Sequence, residues 1–191
     1  MQINSAACSN GQEAQPGDTV TLQGKILQLP QQRTILLHKP VGYVVSRNGQ
    51  GSTTIYNLLP PALAHLKPVG RLDKDSSGLL LLTTDGQLAQ QLTHPKFQKR
   101  KVYMVRLNKL LADLDTAKLH SGVLLEDGIS HLEVRPATTA RTYRVRMYEG
   151  RNRQIRRTFA ALGYQVQRLH RTQFGDYSLG TLASGAYREV A

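Results

Sequence analysis

The residues with the clearest chemical potential lie in the segment GRLDKDSSGL, at positions 70–79. Asp73 stands two residues after Arg71, and both shortly precede an apolar run at 79–82 that is typical of a core strand. Because an isolated buried carboxylate is too costly to keep ionised, a carboxylate here must be paired or must do chemistry. Asp75 follows at close range, where it fits a turn or a cap, or the second acid of a glycosidase-like pair.

Two basic segments add further candidate residues. In KVYMVRL, at 101–107, the alternation of a strand places Lys101 and Tyr103 on one face. In GRNRQIRRTFAALG, at 150–163, Ile155 and Phe159 form the apolar stripe of a helix, and Arg156 lies directly beside that stripe. The other arginines of this segment suit contacts with phosphate groups: Arg151, Arg153 and Arg157.

The composition favours a polyanionic partner. The 191-residue chain has 25 Lys and Arg against 13 Asp and Glu, a formal net charge of +12, and the positive residues are clustered. Because Lys and Arg that neutralise phosphates release counterions, this clustering favours a nucleic acid over an acidic protein. The absence of Trp argues against an extended platform for stacking single-stranded bases.

Other features restrict location and cofactors. No apolar stretch is long enough to span a bilayer, and the first residues lack the pattern of a secretory signal. The single cysteine, Cys8, fits a reducing compartment, so we expect the cytoplasm and, by default, a monomer. The histidines have no metal-ligand spacing and no phosphate-cradling glycine motif occurs, so we expect neither a metal nor a cofactor.

The hydrophobic periodicity predicts a mixed α+β fold in which strands outnumber helices. A turn and a short strand pair are expected at 16–29, and a linker at 30–34. Strands are predicted at 35–39, 42–46, 79–84, 101–107, 131–136, 141–149 and 164–174. Helices are predicted at 53–59, 87–92, 111–122 and 152–163.

The segment GRLDKDSSGLLLLTTDG, followed in order by Lys-Val-Tyr and Gln-Ile-Arg, resembles the signature of the pseudouridine synthases. Among them it is most similar to the RsuA/RluB-type enzymes that modify ribosomal RNA. The resemblance covers nearly all of residues 34–191 and implies a long, curved, mostly antiparallel sheet with a central cleft. It also implies cofactor-free isomerisation of a specific uridine to pseudouridine, with the base flipped out of its stack.

The resemblance implies a role for each candidate residue. Asp73 would be the essential aspartate, acting on the ribose either as a nucleophile or as a base. Tyr103 would pack against the extruded base, and Arg156 would pair with Asp73 and keep it ionised. Arg71 would fill the gap left by the flipped nucleotide or contact a phosphate. The segment RNRQIRR favours large-subunit (23S) over small-subunit ribosomal RNA as the partner.

Residues 1–33 resemble part of the small RNA-binding module named after ribosomal protein S-four, although a plain structural extension fits equally well. We therefore expect this appendage with its linker, and then a catalytic domain at 34–191. Two other functions remain open. A non-catalytic ribosomal-RNA-binding or ribosome-assembly protein would leave Asp73 and Tyr103 without a purpose. A nucleoside or glycoside hydrolase would use Asp73 and Asp75 but gives the basic surface no role.

Overall fold

A computed structural model describes residues 1–15, 17–27 and 32–190 of the chain. The chain divides into two compact units, Met1–Gln32 and Arg33–Ala191. This division falls one residue from the boundary expected from the sequence, and the RNA-binding character of the first unit stays a prediction. Pro16, expected to open a turn, residues 28–29 at the end of the expected strand pair, and residues 30–31 of the expected linker lie outside the described residues.

The first unit contains one antiparallel sheet of four short strands. Their bounds are β1 Gln2–Ile3, β2 Ala6–Ala7, β3 Val20–Leu22 and β4 Lys25–Ile26, in the order β2-β1-β3-β4. Asn4 and Ser5 join β1 to β2 with positive φ angles of 51° and 69°. Tight turns of this kind match the right-handed twist of paired strands. The strand pair predicted at 16–29 is present as β3 and β4.

The second unit is built on a nine-stranded sheet. Its path runs β11-β12-β8-β13-β7-β5-β15, while β14 pairs with β13 and β6 pairs with β7. The bounds are β5 Thr34–Lys39, β6 Lys67–Val69, β7 Ser77–Thr83, β8 Lys101–Leu107, β11 Glu133–Pro136, β12 Thr142–Met147, β13 Val166–Phe174, β14 Tyr177–Ser178 and β15 Tyr187–Val190. A separate hairpin joins β9 Val123–Leu125 to β10 Gly128–Ser130. Only the pairing of β13 with β7 is parallel among the described strands of this sheet.

In the part of the chain that the structure describes, three α-helices flank this sheet: α1 Gly86–Thr93, α2 Asp113–Ser121 and α3 Gln154–Ala161. Short 3-10 helices cover Ile55–Leu58, Pro61–Leu63 and Pro95–Phe97. Asp85 caps α1 by accepting hydrogen bonds from the backbone N–H groups of its first turn, as its carboxylate before a helix favours. Gly122 follows the end of α2. Within the described part of the chain, no helix is long and apolar enough to cross a bilayer.

The central strand is β7, and all seven of its residues are buried. Leu80 and Leu82 pack into one apolar cluster that includes Phe159 of α3, whereas Leu79 and Leu81 pack into a second cluster. A continuous apolar strand is buried on both faces, which is why its sequence predicted a central position. The predicted α+β class, with a mostly antiparallel sheet, is confirmed.

The prediction of a strand at 42–46 is wrong. Residues 42–46 form only an isolated bridge between Val44 and Thr54. Gly42 has a φ of 96°, which turns the chain away from β5, and the backbone N–H of Ile55 donates to the Val44 carbonyl. The alternating apolar residues are therefore used to attach a loop to the core, rather than to extend the sheet.

Gly78 sets how closely β7 and β13 approach. Its φ is +109°, and a Cβ atom there would lie 2.2 Å from the carbonyl oxygen of Arg171. No side chain fits that space, and few residues other than glycine adopt this backbone conformation. The absence of a side chain at Gly78 thus lets Arg171 lie directly beside the strand that follows Asp73.

Candidate active site

Asp73 lies in the turn between β6 and β7, on the wall of a cleft of about 520 Å³. The side chain of Asp73 is 33% exposed, so it is accessible and yet partly desolvated. The other walls come from the end of α1 with the segment after it (92–99), the start of β8, the segment 147–155 that leads into α3, and the second half of β13. The fold therefore brings together residues from five separate parts of the sequence.

Lys39, at the end of β5, holds the turn that carries Asp73 through hydrogen bonds to backbone carbonyl groups. Lys39 is fully buried, and its Nζ donates to the carbonyl oxygens of Ser76 (2.7 Å) and Pro40 (3.0 Å). Burial lowers the pKa of Lys39 to about 8, although the carboxylates of Asp73 and Asp75 oppose that shift. Lys39 thus places a cation beneath the two acids and holds their turn in place.

The arginine beside Asp73 is Arg153. Its Nη1 lies 3.4 Å from Oδ2 of Asp73, and the same guanidinium donates two hydrogen bonds of 3.1 Å to the carboxylate of Asp75. The expected ion pair between Arg156 and Asp73 is not formed. Arg156 instead donates to the carbonyl oxygens of Asp75 (3.0 Å) and Val166 (2.9 Å), and its Nη2 lies 3.2 Å from the Asp75 carboxylate.

The backbone conformation at the start of α3 explains why Arg153, and not Arg156, pairs with Asp73. Helix α3 begins at Gln154, and Arg153 precedes it with a left-handed φ of 45°. A non-glycine residue in this region is strained, and such strain is common at functional positions. With this backbone conformation, the side chain of Arg153 lies at the cleft, whereas Arg156 lies within α3 and outside the cleft lining.

Asp75 organises both arginines. Partial burial raises the pKa of Asp75, but the hydrogen bond from Arg153 and the charge of Arg156 together bring it below its ordinary value. Asp75 is therefore an ionised partner that holds the two guanidinium groups. Asp73 has one ion-pair partner, Arg153, among the described residues, so its carboxylate remains open to the cleft.

Tyr103 and Lys101 lie together in the cleft, as the alternation of β8 predicted. Tyr103 is 7% exposed and belongs to the main apolar cluster, so its ring forms part of a rigid wall. Nζ of Lys101 donates to the Glu149 carbonyl at 3.3 Å. Burial, followed by the charge of Arg171, lowers the pKa of Lys101 to about 8, although the Glu149 carboxylate opposes the shift.

The other predicted RNA-binding arginines have different surroundings. Arg71 is exposed at the cleft. Arg151 also lines the cleft, but it donates to the backbone of the turn between β9 and β10 and to the Asp127 carboxylate. Arg157 binds Asp127 at 2.6 Å and is absent from the cleft wall. Arg151 and Arg157 therefore hold the β9–β10 hairpin against α3.

Sequence reasoning missed three residues of the site: Lys39, Glu149 and Arg171. Glu149 accepts hydrogen bonds from Arg151 and Gln154 and so fixes the segment that enters α3. Lys39 and Arg171 did leave a signal, because each is a charged residue at a position where strand alternation demands burial. Lys39 contacts the turn before β7 and Arg171 contacts β7 itself, and no local pattern shows contacts between segments so far apart in sequence.

This arrangement matches a known family. Residues 33–161 match the family model described as RNA pseudouridylate synthase. The chain belongs to this family. The conclusion agrees with the resemblance seen in the sequence motifs around Asp73, Tyr103 and Arg156.

Individual relatives support the same placement. A ribosomal large subunit pseudouridine synthase B from Pseudomonas aeruginosa is 34% identical over an alignment of 203 residues, which covers 100% of this chain and 53% of that protein. An uncharacterized RNA pseudouridine synthase from Aquifex aeolicus is 33% identical over 179 residues, or 91% of this chain and 72% of that protein. A solved pseudouridylate synthase superposes with a TM-score of 0.79 at 32% identity, covering 100% of this chain and 84% of the other. The chain spans about half the length of the P. aeruginosa relative.

Proposed function

We propose that the chain isomerises a uridine to pseudouridine in RNA, with Asp73 as the residue that acts on the ribose. The observation that carries this proposal is the open carboxylate of Asp73, which shares one cleft with the buried ring of Tyr103. The cleft is large enough for one nucleoside, and a base must leave its stack before any residue can reach its glycosidic bond.

In the proposed reaction, each group has a separate task. Asp73 either attacks C1′ of the ribose or removes a ribose proton, and both routes need an ionised carboxylate. The guanidinium of Arg153 lies 3.4 Å from this carboxylate, and the buried ammonium of Lys39 holds the turn that carries it. Tyr103 packs against the detached base, so that the base turns within a closed space. Carbon 5 then bonds to C1′, its proton is lost to a base, and N1 is protonated.

We propose large-subunit ribosomal RNA as the substrate. The P. aeruginosa relative is named as a ribosomal large subunit enzyme, and the net charge of +12 suits a structured polyanion. Arg71 and Lys101 at the cleft are placed to contact the target nucleotide and its neighbours. The substrate in turn assigns the chain to the cytoplasm, where we propose that it acts as a monomer.

A hydrolase with Asp73 and Asp75 as its acid pair fits the site less well. The general acid of a glycosidase needs a raised pKa, so that it holds a proton near neutral pH. The arginines instead lower the pKa of Asp75, and its carboxylate is engaged by Arg153. Asp75 therefore suits a positioning role rather than proton donation.

The test is pseudouridine mapping on unmodified large- and small-subunit ribosomal RNA transcripts, by carbodiimide adducts and primer extension. Wild-type protein should give a new stop on the large-subunit transcript, and Asp73→Asn should give none. Asp176→Asn is the matched control, because Asp176 is 94% exposed and lies outside the cleft. RNA binding by every variant, with no stop even for the wild type, would favour the non-catalytic alternative.

A further inference from the structure

Arg171 is a buried cation that has no carboxylate partner among the residues the structure describes. It is 2% exposed, and its Nε donates to the Leu79 carbonyl at 2.8 Å. Its Nη2 is buried without a hydrogen-bond partner, and no carboxylate lies within ion-pair distance of Arg171 among the described residues. An unpaired buried charge is costly, so it is retained only where something else compensates for it.

Lys101 places a second cation at the same point. Nζ of Lys101 lies 5.1 Å from the centre of the Phe174 ring, and the Arg171 guanidinium lies 4.9 Å from that centre. Both cations line the cleft that holds Asp73. Two like charges at one aromatic ring repel each other, and an anionic ligand between them would relieve that repulsion.

A β-bulge creates this arrangement. In β13, Arg171 lies opposite Tyr103 and Phe174 lies opposite Lys101, with a register shift between Arg171 and Gln173. Residues three apart on a regular strand point to opposite faces, whereas the bulge returns Phe174 to the face of Arg171. The fold thus departs from a regular strand at the point where it places the two cations.

We propose that Arg171, together with Lys101, binds the uracil ring after it leaves the ribose and stabilises its negative charge. This inference rests on the proposed function. When the bond between C1′ and N1 breaks, its electron pair stays on N1 and spreads to O2 and O4 of the ring. C1′ meanwhile bonds to an oxygen of Asp73, or gains a double bond to C2′ after Asp73 takes the 2′ proton. The charge disappears when carbon 5 bonds to C1′ and N1 takes a proton.

The surroundings favour a base over a phosphate as the ligand. Tyr103, Leu169 and Phe174 line this part of the cleft, and flat or apolar walls suit a planar ring. Preorganised cations in a water-poor site stabilise a charge that develops only during reaction, because they need no reorganisation. Phosphate groups are better served by exposed residues such as Arg71 at the cleft rim.

The test compares single-turnover cleavage of the glycosidic bond in large-subunit transcripts that carry uridine or 5-fluorouridine. Fluorine at carbon 5 stabilises the negative charge on the ring, so the substituted base needs less help to leave. With uridine, Arg171→Gln should slow cleavage by ~100-fold, as for the loss of one charge-stabilising donor. With 5-fluorouridine the loss should be at least several-fold smaller, and RNA affinity should change little. Arg171→Lys should recover part of the rate.

Arg168→Gln is the matched control, because Arg168 lies exposed on the same strand and outside the cleft. It should leave cleavage of both substrates close to the wild-type rate. An equal loss on both substrates for Arg171→Gln would overturn the proposal in favour of a packing role. A loss confined to RNA affinity would overturn it in favour of phosphate binding.

A second measurement does not depend on turnover. The wild-type protein should bind 5-nitrouracil, a ring that is anionic near neutral pH, with at least tenfold higher affinity than Arg171→Gln does. Equal affinities, or no binding by the wild-type protein, would overturn the inference. If the wild-type protein modifies no transcript, the proposed function fails, and this binding experiment still decides whether Arg171 holds an anionic base.

Discussion

Arg153 and Arg156 hold different parts of the site, and exchanging each for glutamine separates their roles. Arg153 is 43% exposed and forms ion pairs with the carboxylates of Asp73 and Asp75. Arg156 is 13% exposed and bonds to the backbone of Val166 and Asp75. We expect Arg153→Gln to impair catalysis with little loss of stability, and Arg156→Gln to impair stability first.

The magnitudes follow from exposure. Solvent-exposed ion pairs contribute about 0.2–1 kcal/mol each, so Arg153→Gln should lower the melting temperature by only a few degrees. Arg156→Gln removes a partly buried hydrogen bond to the Val166 carbonyl, and a bond of this kind from a charged donor contributes about 1.5–3 kcal/mol. For a domain of this size that loss corresponds to roughly 5–10 °C.

For catalysis, we expect the larger effect from Arg153→Gln, the variant with the smaller loss of stability. Bound RNA excludes water from the cleft and strengthens the ion pair between Arg153 and Asp73, whose charged atoms lie 3.4 Å apart, so this contact is then worth about 1.5–3 kcal/mol. Arg153→Gln should therefore lower the single-turnover rate by roughly 10- to 100-fold, since each 1.4 kcal/mol is a factor of ten.

The assay combines single-turnover pseudouridine formation with thermal unfolding, both measured on the same protein preparations. Arg153→Lys is the control, because it keeps the charge and should recover part of the rate. Near-normal turnover in Arg153→Gln, together with an inactive Arg156→Gln of unchanged melting temperature, would show that Arg156 and not Arg153 supports Asp73.

Three further predictions concern backbone fit and titration. Gly78→Ala places a Cβ against the backbone of the neighbouring strand and should lower the free energy of unfolding by about 2–5 kcal/mol, measured by thermal melts. Gly86→Ala is the control, because the space around Gly86 is open and the same melts should show no measurable change. The pKa of Lys101 is about 8, so Lys101 loses its charge as pH rises through 8, and turnover should fall there. Lys101→Arg should move that fall in turnover to higher pH, whereas an unchanged pH profile would assign the fall to another group. Burial and the charge of His38 lower the pKa of His170 from 6.5 to about 4, so the unfolded state binds more protons in this window. Stability should therefore fall as pH falls from 6.5 to 4, and His170→Gln should flatten that slope in denaturant titrations.

Features of the fold with a strong local pattern could be predicted from the sequence. The continuous apolar run of β7 predicted a central strand, because only burial on both faces tolerates it. The spacing of Ile155 and Phe159 likewise predicted α3 and its buried face. The segment at 42–46 misled, because its alternating apolar residues pack a loop against the core instead of pairing with a strand.

The site was only partly predictable, since its geometry depends on backbone irregularities. Sequence motifs selected Asp73 and Tyr103, and both line the cleft. The left-handed conformation of Arg153 decides which arginine reaches Asp73, and the bulge after Arg171 decides which cations meet at Phe174. Neither feature has a signature in residue types, because Arg153 is not of a type enriched in the left-handed region and the bulge between Arg171 and Gln173 contains no glycine.

The most direct test of the proposed isomerisation follows the hydrogen at carbon 5 of the target base. Isomerisation exchanges the bond at N1 for a bond at carbon 5, so ribosomal RNA transcripts labelled with [5-³H]uridine must release tritium. We expect that wild-type protein releases tritium, that no free uracil accumulates, and that Asp73→Asn releases none. Release of free uracil without tritium loss, or tritium release by Asp73→Asn at the wild-type rate, would contradict isomerisation by Asp73.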